Sequence, residues 1–312
     1  MALTFTPRPT GDGARAFIER FAGKRDLGGL GPVLARAGAL EARLAATGRD
    51  VRRAQRLRYR VFFEEGGAIP DPARRLTRRD LCPFDAVSDH LLVVDRAARG
   101  RDGAPTVVGV YRLLRQEAAE RNFGFYSSGE FEVDELVARR PGTRFLEVGR
   151  ACVARSHRGG RVLELLWRGL WAYARHHAMD AMMGCASLPG ADPAAHGPAA
   201  RWLAAGGDPA WRVRPRPDRA AALGDEPSGP PASTRALCDD ALEPAASPRA
   251  LIRTLPPLVK GYWRLGATFS PVPAVDPAFG ATDLFVVLPL RDIEPRYLAH
   301  FGVEAIEPPL AA

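Results

Sequence analysis

The sequence predicts an α/β fold of the α+β kind, in which a central mixed, mostly antiparallel sheet is flanked by helices. Three observations support this prediction. Segments 88–95 and 106–114 contain apolar runs and flank a Gly/Asp turn region, as in an antiparallel hairpin. Segment 145–153 is β-rich and runs through a glycine turn into a helical repeat. Segment 282–290, TDLFVVLPL, is typical of a final strand.

The remaining elements follow in chain order. Residues 40–45 alternate between apolar and polar, which predicts a half-buried strand. A helix is predicted from about Asp50, after Thr47 and Gly48, and residues 66–83 read as a loop. Segment 181–187 predicts a short buried strand. The helix after the glycine turn has its apolar residues at 162, 165, 166, 170 and 173.

Chain length and composition suggest one core with additions. The 312 residues exceed the usual size of a single domain, but an elaborated α/β domain reaches this length. Residues 1–38 are Gly-rich and basic, which predicts an N-terminal extension. The folded domain is expected over 39–302, with a Pro/Ala-rich insertion or flap at 190–250 and a C-terminal tail at 303–312.

The net charge favours anionic partners but does not select among them. The formal net charge is +8, nearly all of the positive charge is arginine, and such a surface attracts nucleic acid, anionic lipid or an acidic protein. The N-terminus lacks a signal pattern and no apolar run reaches about 18 residues, so we expect a cytoplasmic protein. The cysteines are too far apart for a metal or redox motif: Cys82, Cys152, Cys185 and Cys238.

A glycine loop between strand and helix is the clearest candidate for chemistry. Free N–H groups at a helix start bind anions, and arginine forks bond phosphate oxygens in pairs. The loop matches neither GxxxxGK[ST] nor GxGxxG, which leaves a phosphopantetheine thioester as the candidate ligand, with an ordinary basic helix start as the alternative. The predicted phosphate-binding residues are Arg155, Ser156, His157, Arg158, Gly159, Gly160 and Arg161.

The segment ACVARSHRGGRVLELLWRGLWAYA resembles the acyl-donor loop and following helix of the GNAT acyltransferases. This resemblance covers the central third of the chain. It implies a GNAT-like acyl-CoA N-acyltransferase fold for the domain at 39–302.

A closer resemblance, from Leu40 onward, is to the ornithine N-acyltransferases of ornithine lipid biosynthesis. It is carried by the blocks QRLRYRVFFEE, FDAVSDHLLVVD, VGVYRLL, FLEVGRACV, GCASLPGADP, LPPLVKGYWRLGA and TDLFVVLPL. Several blocks also resemble the acyl-homoserine-lactone synthases, but the tryptophan of that group after Phe62 is absent. The resemblance implies transfer of a 3-hydroxyacyl group to the α-amine of ornithine, from a donor on the phosphopantetheine of an acidic acyl carrier protein, with no bound cofactor.

The resemblance also implies the site residues. A thioester needs no enzyme nucleophile, but the acceptor ammonium must lose a proton, and Glu147 is the predicted base. A salt bridge to Arg150 is the alternative for Glu147. The predicted substrate-binding residues are Arg58, Phe62, Asp85, Asp89, Arg112 and Arg150. Their chemistry suits two ammonium groups and a carboxylate, although Asp85 and Asp89 could cap turns and the arginines could be their buried partners.

Rival interpretations remain open at this point. Cys152 with His157 could form an acyl-enzyme, but no third orienting residue is evident. An acyl-CoA donor, another amino acid acceptor, or a basic, haemolysin-like membrane-binding protein would also fit the charge. The arginines at 212, 214 and 216 could dock the carrier or an anionic inner membrane. No basic aromatic sheet motif supports a nucleic-acid partner, and no metal site is expected.

Overall fold

The computed structural model describes residues 30–100, 102–220 and 248–300. Most of the predicted N-terminal extension, the C-terminal tail and the middle of the predicted insertion lie outside the described residues. The chain divides into two compact units. Of the described residues, those within 30–129, 144–180 and 295–300 form unit 1, and those within 130–143 and 181–294 form unit 2.

Strands and helices are interspersed along the described residues. The strands are β1 (Val33–Ala37), β2 (Leu40–Leu44), β3 (Asp89–Arg99), β4 (Pro105–Arg115), β5 (Phe145–Val153), β6 (Ala181–Pro189), β7 (Thr268–Phe269), β8 (Ala274–Asp276) and β9 (Ala281–Pro289). The helices are α1 (Gly48–Tyr59), α2 (Pro72–Thr77), α3 (Gln116–Glu120), α4 (Val133–Arg139), α5 (Arg161–His176), α6 (Gly197–Ala204), α7 (Pro248–Thr254), α8 (Pro257–Arg264) and α9 (Pro295–His300).

The strands of unit 1 form an antiparallel meander in the order β1 to β5. The strands predicted at 40–45, 88–95, 106–114 and 145–153 are confirmed. β1 lies inside the segment predicted as an extension. Its sequence, VLARA, lacks a clear alternation of apolar and polar residues, so the strand could not be predicted locally. It forms by antiparallel pairing with β2.

Helix α1 begins at a capping box. The Thr47 hydroxyl accepts a hydrogen bond from the Asp50 backbone N–H at 3.2 Å, and the Asp50 carboxylate accepts one from the Thr47 N–H at 3.2 Å. This reciprocal pair satisfies two N–H groups that a helix start otherwise leaves free. After Tyr59 the helix widens into a π-helical turn, Arg60–Glu65. The 66–83 segment, predicted as a loop, contains α2.

Two helices lie on opposite faces of the β1–β5 sheet. Helix α5 lies so close to β4 that a Cβ at Gly109 would be 2.5 Å from the Val162 side chain, which explains glycine there. Leu91 of β3 points to α5, since a Cβ at Gly169 would meet it at 2.7 Å. His90 points the other way, because successive strand side chains alternate between faces. Its Nε2 lies 3.2 Å from the Asp85 carbonyl oxygen, on the face that α1 covers.

Unit 2 contains its own antiparallel strands. β6 pairs with β9 from Ala181–Pro289 to Pro189–Ala281, and both β7 and β8 pair with β9. The predicted strands at 181–187 and 282–290 are confirmed. The described part of the 190–250 segment is folded, with α6 burying Ala200 and Leu203. Across the described residues, none of the helices has the length and apolar character to cross a membrane.

Candidate active site

A β-bulge in β5 shapes the candidate site. Arg112 of β4 pairs with Gly149 and Val110 pairs with Cys152, so Arg150 and Ala151 together face Tyr111. Arg150 has a φ of +53°, a left-handed conformation that is unusual for a residue with a side chain. Such bulges bend a strand and re-aim its side chains. The bulge lies three residues after Glu147, the predicted base.

Glu147 is buried and holds a turn in place. Its Oε2 accepts a hydrogen bond from the Tyr126 backbone N–H at 2.7 Å. Its Oε1 accepts bonds from the Ser127 N–H at 2.7 Å and from the Ser127 hydroxyl at 2.6 Å. A carboxylate has about four acceptor positions, so these three bonds leave one on Oε2. Glu147 therefore anchors the 126–129 turn and keeps one position for a further donor.

Arg58 and Asp85 form a buried ion pair with each other. Arg58 has no exposed surface; its Nη1 and Nη2 donate to the two oxygens of Asp85 at 2.9 and 2.6 Å. Its Nε lies 2.9 Å from Asp80 Oδ2, and Gln55 donates to Asp85 at 2.9 Å. Burial alone would raise the pKa of Asp85, but the charge and hydrogen bonds of Arg58 lower it well below its usual value. Asp85 is thus an anion committed to Arg58.

Two further arginines enclose Tyr126. The guanidinium carbons of Arg112 and Arg150 each lie 4.7 Å from the centre of its ring. Arg150 Nη2 donates to the Tyr126 hydroxyl at 3.1 Å, and its Nε lies 3.3 Å from Asp80. Arg112 Nη1 donates to the Cys82 sulfur at 3.1 Å and lies 3.9 Å from Asp85. Arg112 is therefore the arginine of this group with the weakest link to a carboxylate.

Asp89 does not join this cluster. It precedes His90 in β3 and points to the opposite face, where the Tyr173 hydroxyl of α5 donates to its Oδ2 at 2.6 Å. Arg115 Nε lies 3.8 Å from the same oxygen. Burial and the charge of Asp89 raise the pKa of Tyr173 well above its usual value, so the hydroxyl keeps its proton. The structure brings Arg58, Asp85, Arg112 and Arg150 together and separates Asp89 from them.

Phe62 is half-buried in the π-helical turn that follows α1. Its neighbour Phe63 is buried and stacks on Tyr59 with ring centres 5.2 Å apart. Sequence reasoning missed Asp80, Tyr126 and Ser127. They lie in segments without periodic pattern and reach the cluster only through the fold.

The predicted phosphate loop is exposed. Residues 155–157 form a single 3-10 turn, Gly160 has a φ of +94°, and α5 begins at Arg161. Within the described residues, the backbone N–H groups of Gly159 and Gly160 have no hydrogen-bond partner. They and the first N–H groups of α5 are therefore available to an anion.

Two side chains of the loop, those of His157 and Arg158, contact acidic residues outside it. His157 Nε2 lies 3.4 Å from Asp95 Oδ2, and Arg158 forms an ion pair with Glu65 at the end of the π-helical turn. Arg155 and Arg161 are exposed and form no ion pair with any residue that the structure describes. Their positive charges are therefore not paired with a described carboxylate.

Cys152 is unsuited to covalent catalysis. It is buried at the end of β5, and burial raises the pKa of its thiol to about 12. The thiolate is the nucleophilic form, so at neutral pH this side chain is an unreactive thiol.

One group of potential metal ligands occurs in unit 2. Ligand atoms of Glu130, Cys185 and Asp283 lie within 4.8 Å of one another. Burial, followed by the charges of Asp283 and Asp276, raises the pKa of Glu130 to about 9. Without a metal ion, Glu130 therefore holds a proton at neutral pH and shares it with Asp283.

Comparisons with known proteins identify the family of this chain. Residues 57–168 match the family described as an acetyltransferase (GNAT) domain. A relative in Agrobacterium fabrum, named L-ornithine N(alpha)-acyltransferase, is 46% identical over 275 residues, which cover 86% of this chain and 87% of the relative. Relatives of the same name in Rhizobium meliloti and Brucella abortus are 44% and 42% identical, each covering 88% of this chain and 88% and 92% of the relative.

Solved structures also include similar chains. The acyl-homoserine lactone synthase LasI has a TM-score of 0.42 and 12% identity, covering 86% of this chain and 98% of that one. A CoA-dependent acyl-homoserine lactone synthase, BjaI, has a TM-score of 0.42 and 16% identity, covering 84% of this chain and 89% of that one.

The three acyltransferase relatives match the chain over most of its length. The fold is that of the GNAT acyltransferases and the chain is an acyltransferase. It belongs to the family of the L-ornithine N(alpha)-acyltransferases.

Proposed function

We propose that this enzyme transfers a 3-hydroxyacyl group from the phosphopantetheine of acyl carrier protein to the α-amine of L-ornithine. The product is lyso-ornithine lipid, and the reaction is the first step of ornithine lipid biosynthesis. The observation that carries the proposal is the 42–46% identity, over most of the chain, to relatives named for this activity.

The donor binds at the glycine loop. The N–H groups of Gly159 and Gly160, with Arg155 and Arg161, hold the phosphate of phosphopantetheine. The bulge at Arg150 interrupts the β4–β5 pairing. Backbone groups at the bulge can therefore hydrogen-bond the amide groups of the donor's pantetheine arm. The thioester carbonyl then lies beside β5. CoA carries the same phosphopantetheine arm, and neither contact involves the adenosine that distinguishes CoA from the carrier protein. Acyl-CoA is therefore the alternative donor.

Glu147 draws the proton from the amine. A free α-amino group has a pKa near 8, so at neutral pH most of the acceptor is an ammonium ion that cannot attack. The one open acceptor position on Glu147 Oε2 takes this proton, directly or through one water. The neutral amine attacks the thioester carbonyl, so the C–N bond forms as the C–S bond breaks. The nitrogen thereby gives up a second proton. Of the two protons that leave the nitrogen, one protonates the departing thiolate and the other is released to solvent, which returns Glu147 to its ionised form.

Arg112 recognises the acceptor carboxylate. It is the guanidinium least committed to the buried acids, since its partners are a thiol, two aromatic rings and Asp85 at 3.9 Å. Exchanging the thiol contact for a carboxylate gives a charge-assisted bond. Arg58 and Arg150 hold Asp80 and Asp85 and so fix the residues around Arg112.

The proposal is tested with purified enzyme, hydroxyacyl carrier protein and a panel of amino acids, with products identified by mass spectrometry. We expect an amide of ornithine to dominate. Equal or faster acylation of another amino acid would make the protein an N-acyl amino acid synthase of different specificity. A rate at least as high with acyl-CoA as with the carrier-bound thioester would overturn the donor assignment.

Contact with an anionic inner membrane completes the proposal, because the product is an amphiphile. Ile69 and Leu76 are 73% and 87% exposed beside the arginines of α2, which favours contact with lipid headgroups. Sedimentation with vesicles of phosphatidylglycerol tests this contact. Unchanged binding by an Ile69→Ser/Leu76→Ser double variant would count against it.

A further inference from the structure

The outer face of helix α1 consists of arginine alone. From Gly48 to Arg60 the exposed residues are Arg49, Arg52, Arg56 and Arg60. Spacings of three and four residues place side chains on one side of a helix. We call these four residues the arginine stripe. It extends over about 16 Å at 1.5 Å of rise per residue.

The positive charge of the stripe is not neutralised by the described residues. None of its four members forms an ion pair there, whereas Arg53 and Arg58 of the same helix are paired with Asp102 and Asp85. Partial burial and then the charges of Arg52 and Arg56 lower the pKa of Arg79, so this residue extends the same positive field. Clustered like charges are unfavourable in isolation and favour an acidic partner.

The stripe leads towards the phosphate loop. Helix α1 continues into the π-helical turn, whose last residue, Glu65, is ion-paired with Arg158 of the loop. Arg60, the last member of the stripe, is the first residue of that turn. The phosphate of phosphopantetheine is esterified directly to the carrier protein. A carrier whose phosphate occupies the loop must therefore lie against the surface around it.

We propose that the arginine stripe is the docking surface for an acidic helix of the acyl carrier protein. This inference rests on the proposed function, because it needs a protein-bound donor. A carrier fits the stripe better than a bilayer does. The apolar residues of α1, such as Ala54 and Leu57, are buried in the core, so the helix has no face to insert into lipid.

The test compares an Arg52→Gln/Arg56→Gln double variant with the wild type on two donors. Both positions are exposed and glutamine is a good helix former, so the fold is expected to persist. With acyl carrier protein we expect KM to rise about tenfold at low salt with kcat unchanged, and the difference to vanish near 0.5 M salt. With acyl-pantetheine, which has no protein, we expect no change.

An Arg121→Gln/Arg144→Gln double variant is the matched control. Both residues are exposed and lie near the C-terminal end of β4 and the N-terminal end of β5, whereas the loop follows the C-terminal end of β5. We expect its KM for the carrier to stay within twofold of the wild type. An equal rise in both double variants, or loss of vesicle binding with an unchanged KM for the carrier, would overturn the docking proposal. Wild-type enzyme inactive with every donor would instead refute the proposed function.

Discussion

Buried acids in the candidate site have two kinds of partner at the scale of single residues. Asp80 and Asp85 lie against the arginines, whereas Glu147 accepts hydrogen bonds from the turn at 126–127. Removing one partner from a buried ion pair typically costs 3–5 kcal/mol, because the other charge remains in a low-dielectric site. A substitution of Arg58 or Asp85 therefore reports on folding before it reports on acceptor binding. Glu147 is the more informative position.

We predict that Glu147→Gln lowers kcat/KM by about 100-fold or more at pH 7, because glutamine cannot take up the amine proton. The loss should shrink as the pH rises above about 8, where the free amine is already neutral. A pH–rate profile with the carrier-bound donor measures this difference.

Ser127→Ala separates catalysis from anchoring. This control removes the hydroxyl bond to Oε1 and leaves both backbone bonds to the carboxylate. We expect it to lower kcat/KM by less than about tenfold, with a pH profile like that of the wild type. Equal losses in the two variants at every pH would mean that Glu147 acts only by holding the turn.

Regular elements could be predicted from the sequence because their patterns are local. β4 and β5 are β-rich runs that are mostly buried, α5 buries a helical set of apolar side chains, and the strand–loop–helix order follows from 145–176 alone. The π-helical turn after α1 could not be predicted, because RVFFEE continues the helical pattern and the wider turn depends on packing. Neither could the turn at 126–129, which bonds a carboxylate about twenty residues away.

The two glycines of the phosphate loop differ in backbone conformation, and this difference can be tested by substitution. Gly160 has a φ of +94°, a conformation that L side chains rarely adopt, whereas Gly159 has open space around its Cα and no such φ. Alanine at 160 should cost about 1–3 kcal/mol of backbone strain or move the loop. We expect Gly160→Ala to raise KM for the donor about tenfold, with Gly159→Ala within twofold of the wild type. Steady-state kinetics on both variants, with thermal unfolding to report strain, measure the effect; identical constants would exclude a shaped phosphate cradle.

Charge is distributed unevenly at the scale of the whole molecule. The chain carries a formal net charge of +8, yet unit 2 buries Glu130 and Asp283, which are hydrogen-bonded to each other. Burial and the neighbouring acids raise the pKa of Glu130 from its usual value near 4.5 to about 9. The folded chain therefore binds a proton at neutral pH that the unfolded chain releases. Stability from this group is complete below about pH 4.5 and is lost as the pH rises through about 9.

We predict that Glu130→Gln makes the protein more stable than the wild type at pH 8 and changes little at pH 4.5. Glutamine keeps a hydrogen-bonding side chain without a proton to lose. The variant lacks this titrating group, so its free energy of unfolding should change less with pH than that of the wild type. The wild-type slope can reach about 1.4 kcal/mol per pH unit between the two pKa values. Urea unfolding followed by circular dichroism from pH 4.5 to 9 measures the slope. Glu135→Gln is the control, since Glu135 is an exposed residue of α4 in the same unit and should leave the slope unchanged. Parallel slopes for wild type and Glu130→Gln would show that Glu130 is ionised in the folded protein and that the proton is not shared.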